Sequence, residues 1–179
     1  MVDYRQTVEG SKGGFERLMR HIPGYRGYKE KEDRRAADKL LRDHLFNQLD
    51  GLRRRLIDLQ GQLMDHSGGL LLMDDMERLV TKVQKLADNI RTATHGFGGL
   101  FDAVTVKEDR LDALYAFDQG MLEHLTNIQM AIEALAAAID RGGDIKAGIK
   151  GVSSAADSAH TTWRQRQEAL TDTGQPTQL

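Results

Sequence analysis

The chain has 179 residues, 40% of them hydrophobic and 29% charged, a balance that suits one globular domain with a real core and excludes general disorder. It contains no cysteine, which excludes disulfide frameworks, zinc ribbons and thiolate chemistry, and its net charge of −2 gives no global field for DNA or RNA. The longest apolar run, Ala134 to Ile139, is far short of the ~20 residues of a membrane span, and the first residues lack the apolar stretch of a signal peptide, so a cytoplasmic location is expected.

Residues 1–13 are polar and aperiodic and read as loosely ordered. Phe15, Leu18, Met19 and Ile22 then fall at i, i+3, i+4 and i+7, one face of a short helix that Pro23-Gly24 stops. Residues 1–35 carry nine Lys/Arg against six acids, so the basic charge is concentrated here while the remainder is acidic. Tyr25 to Tyr28 reads as a tight connector. The first long helix is expected from Lys29 to His66, because Leu45, Leu49, Leu52, Leu56, Leu59 and Leu63 step alternately by four and three, a heptad seam. Gly51 and Gly61 interrupt its propensity and are candidate bends.

His66-Ser-Gly-Gly69 breaks the pattern. A second helix, Leu71 to Thr94, follows with a broad apolar face from Met76 to Ala93. Residues 95–104 form an apolar, glycine-rich loop containing Phe97, Leu100 and Phe101. Thr105 and Glu108 have the spacing of a capping box for a third helix, Val106 to Arg141, with Leu111, Leu114, Met121, Leu125, Ile128, Ile132, Leu135 and Ile139 along its seam. Asp144 is the expected N-cap of the last helix, Ile145 to Leu170, whose seam holds Ile149, Val152, Ala156, Ala159, Trp163 and Leu170.

No single stripe can bury itself. Short glycine turns between long helices imply antiparallel neighbours, and the reading is an all-α, antiparallel up-down four-helix bundle with long coiled-coil-like helices and a short N-terminal amphipathic helix. Residues 1–28 are the arm, 29–170 the bundle and 171–179 a disordered tail.

Chemistry is sparse. The chain lacks the Glu-x-x-His pair of di-iron bundles, and its one Asp-x-x-His, Asp157 and His160, offers too few ligands for a metal. Gly96-x-Gly98-Gly99 lacks the Lys-Ser/Thr of a phosphate loop. Arg53, Arg54 and Arg55 are flanked by Asp50 and Asp58 and read as a solvated face. No catalytic residue, cofactor or metal is therefore assigned, and no nucleic acid is expected. Asp118 stands out, because it falls between Leu114 and Met121 where the seam calls for an apolar side chain. It reads as a seam position that reaches solvent, or as a polar core residue that pairs with an arginine and helps fix register; the alternative is an acid/base group or ligand in the bundle core beside Tyr115.

The leading functional expectation is a non-enzymatic interaction or scaffold protein that self-associates or docks a protein partner. Its candidate contacts are Phe15, Leu18, Met19, Ile22, Arg17, Arg20 and Phe101. A peripheral protein using the basic amphipathic N-terminal segment on an anionic membrane is the alternative, and a metal-binding or catalytic bundle centred on Asp118 is the third.

Overall fold

The computed structural model describes residues 4–93 and 107–171, with side chains described for 13–93 and 107–171. All regular structure among the described residues is helical: α1 (Tyr4–His21), α2 (Lys31–Met64), a one-turn 3-10 helix (Gly69–Leu72), α3 (Met73–Thr92), α4 (Glu108–Arg141) and α5 (Ile145–Thr171). The expected capping box at Thr105, the loop bearing Phe97, Leu100 and Phe101, and the tail beyond Thr171 lie outside the described residues.

The long helices start and stop within about two residues of the heptad boundaries, where the apolar period and the glycines agree. α1 differs. It begins at Tyr4, ten residues ahead of Gly14, so the arm is a helix of 18 residues rather than two turns. The stretch before Gly14 lacks an apolar period, yet it also lacks proline. Once the turn through Leu18 is nucleated by packing, adding polar residues costs little.

The seams are buried as periodicity requires. In α2, Ala37, Leu41, Leu45, Leu49, Leu56, Leu59 and Leu63 are closed to solvent, while Leu52 is half-buried. α2 runs unbroken through Gly51 and Gly61, and a Cβ at either would meet nothing. α4 ends at Gly142, whose φ of +69° lets the Gly143 amide donate to the Ala138 carbonyl at 2.8 Å, satisfying an orphan acceptor of the last turn. Asp144 caps α5, its Oδ1 accepting from the Ala147 amide at 2.9 Å.

The chain forms two compact units. Unit 1 comprises residues 1–44, 93–121 and 162–179; unit 2 comprises 45–92 and 122–161. In unit 2, α3 and α5 lie side by side. Lys82 reaches Ser153 and Asp157, each at 2.7 Å, and Asn89 lies 3.5 Å from His160, so the two helices advance together. They thus run in the same direction, as two helices separated by one intervening helix do when each consecutive pair is antiparallel. The close approach on the other side of α5 is to α4: a Cβ on Gly148 would sit 2.9 Å from Leu135 Cδ1 and 3.2 Å from its Cα, so any larger residue would push Leu135 aside.

In unit 1, α1 folds over the start of the long helices through Leu18 and Ile22, both buried. The connector after α1 turns on Gly24 and Gly27, both with positive φ. At Gly27 a Cβ would stand 2.5 Å from the Tyr115 hydroxyl and 2.6 Å from the Phe15 ring. The connector is therefore pressed against α1 and α4.

Candidate functional site

Three features of the molecule are candidate sites: a buried polar cluster in unit 1, the N-terminal arm, and the turn between α2 and α3.

The cluster is built around Arg166 on α5 and Asp118 on α4, each 0% exposed. Arg166 Nε donates to Asp118 Oδ1 at 2.5 Å, and its Nη2 donates to Asp38 Oδ1 at 2.9 Å and to the Tyr28 hydroxyl at 3.1 Å. Tyr28 in turn donates its hydroxyl to Asp118 Oδ2 at 2.6 Å. Asp38 is shared with Arg42 at 2.8 Å, and Arg34 Nε holds the Tyr28 carbonyl at 2.9 Å. The Tyr28 amide donates to the Tyr115 hydroxyl at 2.8 Å, so the connector is pinned to α4 by backbone and side chain together. Trp163 covers the guanidinium of Arg166, 5.0 Å from its ring centre. Phe15, Tyr25, Tyr28 and Tyr115 pack edge-on or tilted around the cluster, with ring centres 5.4 to 6.3 Å apart.

The electrostatics follow from burial. Desolvation raises the Asp118 carboxyl above its ordinary value, while the charge and hydrogen bond of Arg166 and the Tyr28 hydroxyl pull it back. Burial opposes the charged form of Arg166, but Asp118, Tyr28 and Asp38 outweigh it and hold the guanidinium above its ordinary range. Tyr25 and Tyr28 are raised by burial and then by the Asp118 charge. Burial also raises Tyr115, against the amide that Tyr28 donates to it. Two buried polar atoms, Arg166 Nη1 and the Tyr25 hydroxyl, find no hydrogen-bond partner of good geometry among the described residues.

Asp118 is therefore buried and paired with an arginine, with Tyr28 on its second oxygen and Tyr115 close by through the Tyr28 amide. A general acid or base must come within about 3 Å of its proton partner or reach it through one water. Here both carboxylate oxygens are occupied and closed from solvent. Arg166, Asp38 and Tyr28 are the partners that sequence reasoning missed. The signal was present: Arg166 continues the α5 seam, three residues after Trp163 and four before Leu170, so a cation and an anion interrupt two facing stripes.

The arm is divided by its own packing. Leu18 and Ile22 lie in the core of unit 1, and Phe15 is half-buried against Tyr25 and Tyr115. Those three are thus withdrawn from the accessible surface that a partner or a membrane would meet. Met19 stays 47% exposed, and Glu16, Arg17 and Arg20 of the same helix are exposed as well. Phe101 lies outside the described residues.

The sequence marks the turn between α2 and α3 only as a helix break. Gly68 takes φ +81°, and a Cβ on Gly69 would collide with the Leu63 carbonyl, so both positions need glycine. Hydrogen bonds from Gly69 to His66 at 2.9 Å and from Leu71 to Gly68 at 3.2 Å lock it. The outcome is an apolar tip on unit 2: Leu70 is 73% exposed, Leu71 87% and Met64 58%. In sequence Asp65 precedes the turn and Asp74, Asp75, Glu77 and Arg78 follow it, and in the fold Lys82, Lys146 and Lys150 line one cleft with Asp75 and Arg78.

The remaining candidates are surface features. Arg53 and Arg54 share Asp50, and Arg55 lies 3.6 Å from Glu133. A cleft of about 760 Å³ between α3 and α5 exposes Lys82, Lys85, Asp157 and His160 among its lining. Among the described residues no three His, Asp or Glu side chains are grouped as a metal ion would require, and no helix is long and apolar enough to cross a membrane. Comparison with protein-family models, curated proteins and solved structures found no match.

Proposed function

We propose that the chain is a non-enzymatic interaction module of the cytoplasm. Its long helices gather as a four-helix bundle, and it docks a protein partner through the apolar turn between α2 and α3. The observation that carries this reading is the pair Leu70 and Leu71, 73% and 87% exposed on adjacent residues. Scattered surface leucines need no explanation, but two adjacent ones with Met64 nearby form a contiguous apolar patch. They are held outward by a turn that only glycine allows, so their exposure is a product of the backbone. Such a rigid knob loses little conformational entropy on docking, which favours its use as an anchor.

The cluster at Asp118 supports the same reading from the other side. Its ionisable groups satisfy one another inside unit 1 and present no open face to a substrate. They fix which residues of α4, α5 and the connector meet, a role in register that buried charges serve in other helical proteins.

A photo-reactive amino acid placed at position 71 tests the reading. Crosslinking in cells to a defined protein, absent from the same probe at exposed Gln48 on α2, is the expected result. No specific crosslink from position 71 would overturn it.

A further inference from the structure

We infer that the protein partner docked on the α2–α3 tip presents an acidic segment, whose carboxylates enter the cleft between the starts of α3 and α5. This rests on the docking reading above and names the chemistry of its occupant. The cleft, about 600 Å³, is lined by Arg78 and Lys82 of α3 and by Lys146 and Lys150 of α5. Asp75 and Asp144 line it as well, but both are engaged. Asp75 lies 3.4 Å from Arg78, and Asp144 accepts from the Ala147 amide as the cap of α5. Lys82 is held by Ser153 and Asp157, each at 2.7 Å. Lys146 and Lys150 are exposed, and among the described residues neither has an ion-pair partner. They stand one turn apart on α5, a spacing at which like charges repel and at which one carboxylate answers both.

The cleft opens beside the tip. Leu71, Asp75, Arg78 and Lys82 step by four, three and four, so one stripe of helix leads from the exposed leucine into the cleft. At about 1.5 Å per residue, the cations of α3 lie roughly 10–16 Å along the axis from Leu71. A peptide segment spans that distance in about three to five extended residues. Leu79 and Ile149 close the floor of the cleft with buried apolar side chains. Shape and charge together disfavour an anionic lipid surface. A flat bilayer would bring its headgroups against Asp65 and Asp74, both exposed beside the tip leucines. A segment of protein places its apolar side chain there and its acids only in the cleft.

Lys146→Glu with Lys150→Glu, placed in the chain that carries the photo-reactive probe at position 71, inverts the charge of the cleft without touching the tip. Both residues are exposed, and acids near the start of a helix favour it, so the variant is expected to melt no lower than the parent. The crosslink in cells from position 71 is expected to fall at least about tenfold in this variant. It is expected to persist in Lys146→Arg with Lys150→Arg, which keeps the charge. Mass spectrometry of the crosslinked peptide is expected to place it in a stretch of the partner where Asp and Glu outnumber Lys and Arg. A crosslink to a defined protein that survives the inversion, or that lies in a neutral or basic stretch, overturns this inference and leaves the docking reading standing. Co-sedimentation of the purified full chain with phosphatidylserine vesicles, lost in the Glu variant, overturns it in favour of lipid. No specific crosslink at all defeats both readings.

Discussion

Asp118 and Arg166 show how much one buried charge depends on another. Removing Asp118 leaves a fully buried guanidinium whose Nη1 already lacks an acceptor among the described residues. Asp118→Leu is therefore expected to destabilise the chain by about 3–5 kcal/mol in a urea titration. The double variant Asp118→Leu with Arg166→Met removes both charges, and Asp38 keeps Arg42 as its partner. It is expected to be more stable than Asp118→Leu alone, a coupling that a double-mutant cycle reads directly. If the double variant is less stable than the single one, the pair is not the hub described above. Tyr28→Phe deletes one donor to Asp118 and one acceptor for Arg166 Nη2, and is expected to cost about 1–3 kcal/mol. It falls below Asp118→Leu because the ion pair itself survives.

Helices respond to glycine according to what surrounds them, and the two long seams provide the contrast. Gly51 and Gly61 lie inside α2 with open space where a Cβ would go. Replacing either with Ala is expected to raise stability by up to about 1 kcal/mol, since only propensity changes. Gly148 on α5 faces Leu135 so closely that Ala is expected to cost about 1–3 kcal/mol through overpacking, despite the same gain in propensity. Thermal melts of the three variants read these signs; a stabilising Gly148→Ala would mean that α4 and α5 are not in close contact there. The same contrast explains what sequence could and could not reveal. Leucine steps from Leu45 to Leu63 and the cap at Asp144 report local periodicity and local hydrogen bonds, so element boundaries were legible. Packing partners were not, because a stripe does not name the stripe it meets: nothing in α3 states that it lies parallel to α5. Asp118 was legible as an exception to its seam, whereas Arg166, equally in register, was legible only by testing every charged residue against the heptad. The tip escaped notice because glycine turns usually expose polar residues, and only the Gly68–Gly69 backbone shows that Leu70 and Leu71 point away from the core.

For the molecule as a whole, stability is expected to hold a plateau between about pH 6.5 and pH 10, with a separate cause at each edge. On the alkaline side, Tyr25, Tyr28 and Tyr115 are all raised above 10.0 in the fold. A raised group contributes stability that is complete below its unfolded value and is lost as pH climbs through the folded one. Above pH 10 the unfolded chain sheds three phenolic protons that the folded chain retains, so unfolding is favoured with each increment of pH. Ionising Tyr28 in place would set a second anion against Asp118, so the protons leave on unfolding rather than before it. Phenolate absorbance from these three of the four tyrosines is therefore expected to appear together with loss of helical circular dichroism. Phenolates forming while the helices stay intact would contradict the closed cluster. On the acid side, His44 and His124 are lowered below 6.5, each chiefly by burial, with His21 adding repulsion at His44. A lowered group contributes stability that is complete above its unfolded value and is lost as pH falls through the folded one. Below pH 6.5 the unfolded chain takes up protons that the folded chain refuses. Asp118, being raised, runs the opposite way and does not drive this limb. His44→Asn removes one of the two histidines responsible, so urea midpoints followed downward from pH 6.5 are expected to fall less steeply in that variant; an unchanged slope would assign the acid limb to other groups.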